Sequence, residues 1–183
     1  MNYPMSTTRV IENPVLKDRI TFLKTASETG GEYLLLQVEL EPGGSIMLHY
    51  HTTFTERFEV LDGQLDLILD GQHLILRAGE SALVPLRAKH RFYNASNSPV
   101  TFTTEVRPAR IFEQSLRVSY GLAADGKTTR HGIAKNPLLL GLHFQLAETY
   151  LPGIPLWIQQ FGGGLLAALG KLLGHEKTLQ KYL

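Results

Sequence analysis

From the N-terminus to about Pro108 one pattern recurs: runs of four to nine residues in which apolar and polar side chains alternate, each cut off by Gly, Pro, Asn or Asp. Period-two alternation puts one face of an extended chain into a core and the other into water, and breaks this close together leave no room for helices between the runs. Arg19–Thr25, Glu32–Leu40, Ser45–His49, Glu56–Leu61, Gln64–Leu69, Gln72–Arg77, Ala82–Pro85, His90–Tyr93 and Val100–Val106 read as strands. Their spacing suits a sandwich or a barrel. Turn chemistry agrees: Glu41-Pro42-Gly43-Gly44, Leu61-Asp62-Gly63 and Leu69-Asp70-Gly71 put Gly where a positive φ is cheap, and the two Asp-Gly pairs suit tight hairpins.

Past Arg107-Pro108 the period changes from two to about 3.6 residues. Ala109–Tyr120, Pro137–Tyr150 and Pro155–Leu173 read as helices, with Pro137 and Pro155 where a helix start tolerates proline. Gly121–Lys135 reads as the connection between the first two. The chain therefore divides into a β unit over 1–108, including an N-terminal arm, and a helical extension over 109–183. Leu165, Leu166, Leu169, Leu172 and Leu173 fall on one stripe, which assigns the extension to pack on the barrel or on a second subunit.

Two blocks inside the β unit carry chemistry. The first runs from Gly43 to Gly63 as G-x5-H-x-H-x4-E-x6-G, with His49, His51 and Glu56 at its fixed positions. The second runs from Gly79 to Asn94 as G-x5-P-x-R-x2-H-x3-N, with Pro85, Arg87 and His90. On an extended strand His49 and His51 point to one face and Tyr50 to the other. If the strand opened by Glu56 pairs in the same sheet, its carboxylate reaches the same point, and His90 arrives from a distant strand. Three imidazoles and a carboxylate converging inside a β structure form a site for a divalent first-row ion, which offsets the cost of burying them.

These blocks resemble the two motifs of the cupin superfamily, G-x5-H-x-H-x3-4-E-x6-G and G-x5-P-x-G-x2-H-x3-N. The match covers Gly43–Asn94 directly, and flanking strands extend it to about Val15–Pro108. One motif position departs, Arg87, where the family has a turn glycine that is not a ligand. The resemblance implies an all-β double-stranded β-helix, or jelly roll, here with a C-terminal α-helical extension. It also implies that His49, His51, Glu56 and His90 hold Fe, Mn, Ni, Cu, Co or Zn, and that Glu56 serves as a catalytic base in some members.

Alternation from the ligands places Phe58 and Val60 with Glu56, and Phe92 with His90. Leu65, Leu67 and Leu69 join the same lining, as do Tyr33 and Gln37 if their strand registers inward. Tyr33, Gln37, Phe58 and Phe92 are thus the candidate substrate-binding residues of an apolar pocket. Arg87 and Arg91 read as solvated, and His73, His131, His143 and His175, which match no motif, as structural or solvent-facing.

Composition closes off other classes. Lys plus Arg number 18 against 17 Asp plus Glu, so no cationic surplus exists to neutralise phosphates, and nucleic acid is not an expected partner. Absence of cysteine excludes disulfides, a thiolate nucleophile and any Cys-ligated metal. The first residues show no apolar h-region, so the expected location is cytoplasmic. Residues from Thr149 to Gly170 carry no charge, but Pro152, Pro155 and Gly162–Gly164 interrupt the stretch, so no membrane association is expected. The expected partners are a small organic molecule and, from the uncharged tail and the habits of the family, a second copy of the chain. The reading is a metal-dependent oxygenase; the alternatives are a non-catalytic ligand-binding or sensing protein, and a metal-dependent isomerase or lyase.

Overall fold

The structure, a computed structural model, describes residues 6–183. In chain order its elements are β1 (Val10–Asn13), β2 (Asp18–Lys24), β3 (Leu34–Leu40), β4 (Tyr50–His51), β5 (Thr55–Asp62), β6 (Gln64–Leu69), β7 (Gln72–Arg77), β8 (Ser81–Val84), β9 (His90–Tyr93), β10 (Val100–Arg107), α1 (Phe112–Ala124), α2 (Pro137–Ala147), β11 (Thr149–Tyr150), α3 (Leu156–Leu172) and α4 (Glu176–Gln180). A six-stranded antiparallel sheet runs β1-β2-β3-β10-β5-β8 and faces a three-stranded sheet β7-β6-β9, the jelly-roll arrangement the alternation calls for.

Strand register builds the core in rows. Ile20 lies opposite Val38, Val38 opposite Phe102, and Phe102 opposite Val60; the next row is Phe22, Leu36, Thr104 and Phe58. All eight are buried, as are Leu65 and Leu67 of the facing sheet. Asp70 (φ 47°) and Gly71 (φ 84°) both lie in the left-handed region, as a two-residue type I′ turn requires, and join β6 to β7 as a hairpin. The other Asp-Gly pair does not make one. Asp62-Gly63 carries the chain from one sheet to the other, and there a Cβ on Gly63 (φ 83°) would lie 2.9 Å from the Pro99 carbonyl oxygen.

One strand and one helix assignment change. Ser45–His49 is not a continuous strand: Ser45 bridges Tyr93 and His49 bridges His90, after which the chain changes partner and β4 pairs with β11. Helix α2 stops at Ala147, because Glu148 takes a left-handed conformation (φ 46°) that turns the next two residues into β11. Its start follows the sequence: Pro137 is the first helical residue, and the Asn136 side chain accepts hydrogen bonds from the backbone N–H groups of Leu138 and Leu139.

Of the five leucines in the α3 stripe, Leu166 packs on α2 beside Gly141 and the other four do not face the protein. Leu165, Leu169, Leu172 and Leu173 are exposed, while Ala167 and Gly170 are buried. Small residues set this choice. A Cβ on Gly141 of α2 would sit 2.7 Å from the Ala167 nitrogen, and one on Gly170 would sit 3.1 Å from the Leu138 carbonyl oxygen. The two backbones approach so closely that only the glycine and alanine side of α3 fits against α2.

Candidate metal centre and its cavity

His49, His51, Glu56 and His90 are all buried, and one potential ligand atom from each lies within 4.8 Å of the others. Four segments bring them together. His49 is held to the start of β9 by reciprocal backbone hydrogen bonds with His90 of 3.0 and 2.8 Å, His51 lies on β4, and Glu56 projects inward from β5 beside Val106.

The outer hydrogen bonds orient the rings. His49 Nδ1 lies 2.7 Å from the Met47 carbonyl oxygen, His90 Nδ1 lies 3.0 Å from that of Ala88, and His51 Nδ1 lies 3.3 Å from that of Glu148. A carbonyl can only accept, so each Nδ1 carries the hydrogen; the Nε2 atoms of His49 and His51 turn their lone pairs to the interior, while His90 Nε2 donates to the Glu56 carboxylate, its proton in the place that an ion would take. Two Nε2 atoms crowd one carboxylate oxygen: Glu56 Oε2 is 2.7 Å from His90 and 3.2 Å from His51. The His51 contact is close but misdirected, so its Nε2 is buried with no hydrogen-bond partner. An orphaned acceptor beside a carboxylate, with every tautomer fixed from outside, is the donor set a divalent cation completes.

Electrostatics concur. Burial, with the neighbouring His90 and His51, pushes His49 down to about 3, so its ring is neutral and available as a ligand. Burial alone would raise the Glu56 carboxyl, but the adjoining His51 and His90 rings, the latter hydrogen-bonded to it, outweigh burial and hold the group well below the usual carboxylate range. For His90 burial acts downward, and the hydrogen bond and charge of Glu56 overcome it and raise the ring.

The cluster opens on a cavity of about 160 Å³, lined on the barrel side by Leu36, Val38, Phe58, Phe92 and Thr104. Helix α1 runs along its other wall. At one end Phe112 lies 5.7 Å from His51, ring centre to ring centre; at the other Tyr120 donates to Asp18 Oδ2 at 2.5 Å. A second cavity, about 240 Å³, shares His49, Ser119, His143 and Thr149 with the first and reaches out past Ile133 and Phe144. Among the described residues no Lys or Arg lines either.

Among the candidate substrate-binding residues, Phe58 and Phe92 line the cavity. Tyr33 and Gln37 do not. The inward residues of β3 are Leu34, Leu36, Val38 and Leu40, so Gln37 faces the other way, and Tyr33 sits before the strand with its ring 4.9 Å below the Arg107 guanidinium. Leu65 and Leu67 are buried in the hydrophobic core, with Leu69 packed against it, and none of the three lines the cavity. Arg87 is exposed and takes a left-handed backbone (φ 67°), the conformation for which the motif keeps glycine. The Arg91 guanidinium lies 4.8 Å over Tyr93.

The helical wall of the cavity has no motif in the sequence. His143 of α2 lines both cavities, and its Nε2 donates to the Ser115 carbonyl oxygen at 3.2 Å, with Ser115 Oγ at 3.1 Å. Burial pushes its pKa down to about 4, so the ring is neutral and its Nδ1 is an acceptor. The extension also reaches the ligands: Glu148 supplies the carbonyl that holds His51, while its carboxylate accepts from Thr53 at 2.9 Å and from Arg110 at 3.0 and 3.1 Å.

Asp18 has a pH signature of its own. Burial raises it to about 7 against the opposing Tyr120 hydrogen bond, and its Oδ1 is buried without a partner. Its folded pKa exceeds its unfolded one, so its contribution is fully present below about pH 4 and is lost as the pH rises through about 7. Chemical denaturation between pH 5 and 8 should show Asp18→Asn losing about 2–4 kcal/mol of that pH dependence. Identical slopes for parent and variant would show that Asp18 is already ionised in the fold.

The sequence matches the Cupin domain family over residues 36–106. It is 31% identical over 130 residues to phomopsin biosynthesis cluster protein D of Diaporthe leptostromiformis, covering 66% of this chain and 68% of that protein. It is 34% identical over 64 residues to quercetin 2,3-dioxygenase of Bacillus subtilis, covering 35% of this chain and 19% of the enzyme. The crystal structure of a predicted oxalate decarboxylase from Thermotoga maritima superposes with a TM-score of 0.52 at 18% identity, over 59% of this chain and 99% of that one. The match spans less than half the length of the first curated relatives, 45% and 19%. The chain belongs to the cupin superfamily. Within it, the chain is a member with a complete His, His, Glu, His cluster and a helical wall over the barrel mouth.

Proposed function

We propose that this cupin is a metal-dependent enzyme acting on a neutral, largely apolar organic molecule that carries a hydroxyl or carbonyl oxygen, and that it is an oxygenase. One observation carries the substrate class: the four-residue cluster sits at the end of cavities lined by Phe, Leu and Val, with no Lys or Arg to meet a phosphate or carboxylate. The local likeness to a quercetin 2,3-dioxygenase supports the oxygenase reading.

His49, His51, Glu56 and His90 hold the ion. When bound, a divalent first-row metal polarises a substrate oxygen, and a redox-active one gives access to dioxygen chemistry. Phe58 and Phe92 grip the apolar body of the ligand. His143 Nδ1 accepts from a ligand hydroxyl, held in that tautomer by the Ser115 carbonyl. Glu56, kept ionised, is the base nearest the ion and takes the proton of a hydroxyl presented there.

The test is oxygen uptake by metal-loaded protein with neutral hydroxylated aromatic ketones, flavonols among them, beside sugar phosphates and oxalate. Uptake with the neutral panel is expected, falling at least about 100-fold in Glu56→Ala. Turnover of neutral substrates without uptake would transfer the site to isomerase or lyase chemistry. Turnover confined to the anions would overturn the substrate class, and saturable binding without turnover would make the protein a sensor.

A further inference from the structure

Helix α3 carries an apolar face that no other described residue of the chain covers. Trp157 (69% exposed), Phe161 (74%), Leu165 (55%), Leu169 (42%) and Leu172 (81%) follow one another at three- and four-residue steps, with Leu173 (65%) beside them. Such spacing makes one continuous stripe. At these exposures it presents on the order of 800 Å², more than the largest patch of a typical monomer and about what each partner contributes to a standard interface.

We propose that this face is the interface of a homodimer, in which α3 crosses α3 of a second copy about a two-fold axis. Area is the first argument; charge is the second. From Leu156 to Gly170 the helix carries no Asp, Glu, Lys or Arg, so all of the face but its Leu172–Leu173 end, beside Lys171, meets its own copy with no repulsion and no ionised group to desolvate. A helix lying on a lipid surface instead needs a polar, Lys- or Arg-bearing face turned to the headgroups. Here the opposite face is buried against α2 through Ala167 and Gly170, so that polar face does not exist. Shape is the third. Nothing lies within 4 Å of a Cβ built on Gly162 or Gly164, so the middle of the face has open low ground flanked by Phe161 and Leu165, into which a partner's Phe161 can seat.

Trp157 is the only tryptophan, so its emission reports on this face alone. The experiment is analytical ultracentrifugation of the full chain across a dilution series, paralleled by Trp157 emission, for the parent and for Phe161→Glu with Leu165→Glu. Both substituted side chains are exposed, and circular dichroism melting checks that the fold survives. We expect a parent dimer with blue-shifted emission that turns red on dilution, and a dissociation constant raised at least about 100-fold in the variant. A parent that is monomeric at all concentrations with red emission overturns the proposal. So does a variant that remains dimeric, which would place the interface elsewhere. A monomeric parent that binds phosphatidylcholine–phosphatidylglycerol vesicles with a blue shift would assign the face to lipid and overturn it equally.

Discussion

Replacing His49 and His90 together by alanine is expected to take the protein from near-stoichiometric metal to less than about a tenth of an equivalent, read by elemental analysis after reconstitution and desalting. The double variant removes two of four buried donors, leaving His51 and Glu56 from strands β4 and β5. A chelate of two donors on adjacent segments cannot enforce geometry, and the affinity should fall by at least about 10³-fold. Linkage gives a second readout. Metal at about 1,000 times its dissociation constant stabilises the parent by about 4 kcal/mol, a rise of about 8–16 °C in Tm for a chain of this size, and the variant should show none of it. A variant that keeps both its metal and its thermal response would mean that the ion sits elsewhere.

The second large effect lies behind the cavity wall. Arg117 of α1 is buried and gives Glu113 Oε1 two hydrogen bonds, of 2.8 and 3.1 Å. It also donates to the Thr8 carbonyl oxygen at 2.9 Å and lies 4.3 Å over the Phe22 ring, so one side chain ties α1 to the first strands. Arg117→Ala leaves the Glu113 carboxylate buried without its cation, which costs about 3–5 kcal/mol. The melting temperature should drop by about 8–15 °C, followed by circular dichroism. Replacing the pair together by Leu and Met should recover much of the loss, because the cost comes from the stranded charge rather than from the missing bridge. A drop under about 1 kcal/mol in the single variant would show that Glu113 finds water or takes a proton.

The barrel was legible because its signals are local. Period-two alternation located nearly every strand of the β unit, whereas His49 and His51 converge although the chain changes partner between them, His49 bridging His90 and His51 pairing with Thr149. The short strand β1 and the helix α4 fell outside the assignments, as segments too brief to show a period. Tyr33 and Gln37 were misplaced because Tyr33-Leu-Leu-Leu-Gln37 alternates poorly and admits either register; pairing with β2 and β10 decides it.

His143 illustrates the opposite limit. Nothing near it in sequence resembles a motif, and its place beside the ligands depends on α1, α2 and the barrel coming together. The one local hint was the face of α1 carrying Phe112, Ser115, Leu116, Ser119 and Tyr120 at helical spacing, all of which border the cavity. For α3 the hydrophobic pattern was visible, but the packed face was chosen by glycine and alanine, whose value lies in backbone approach.

X-ray absorption at the edge of the bound metal reads the ligand set itself. Three imidazole nitrogens and one carboxylate oxygen are expected around the ion at about 2.0–2.2 Å, with the imidazole scattering reduced by one ring in His51→Ala. A shell of water and carboxylate oxygens, or one unchanged by that substitution, would contradict this ligand set.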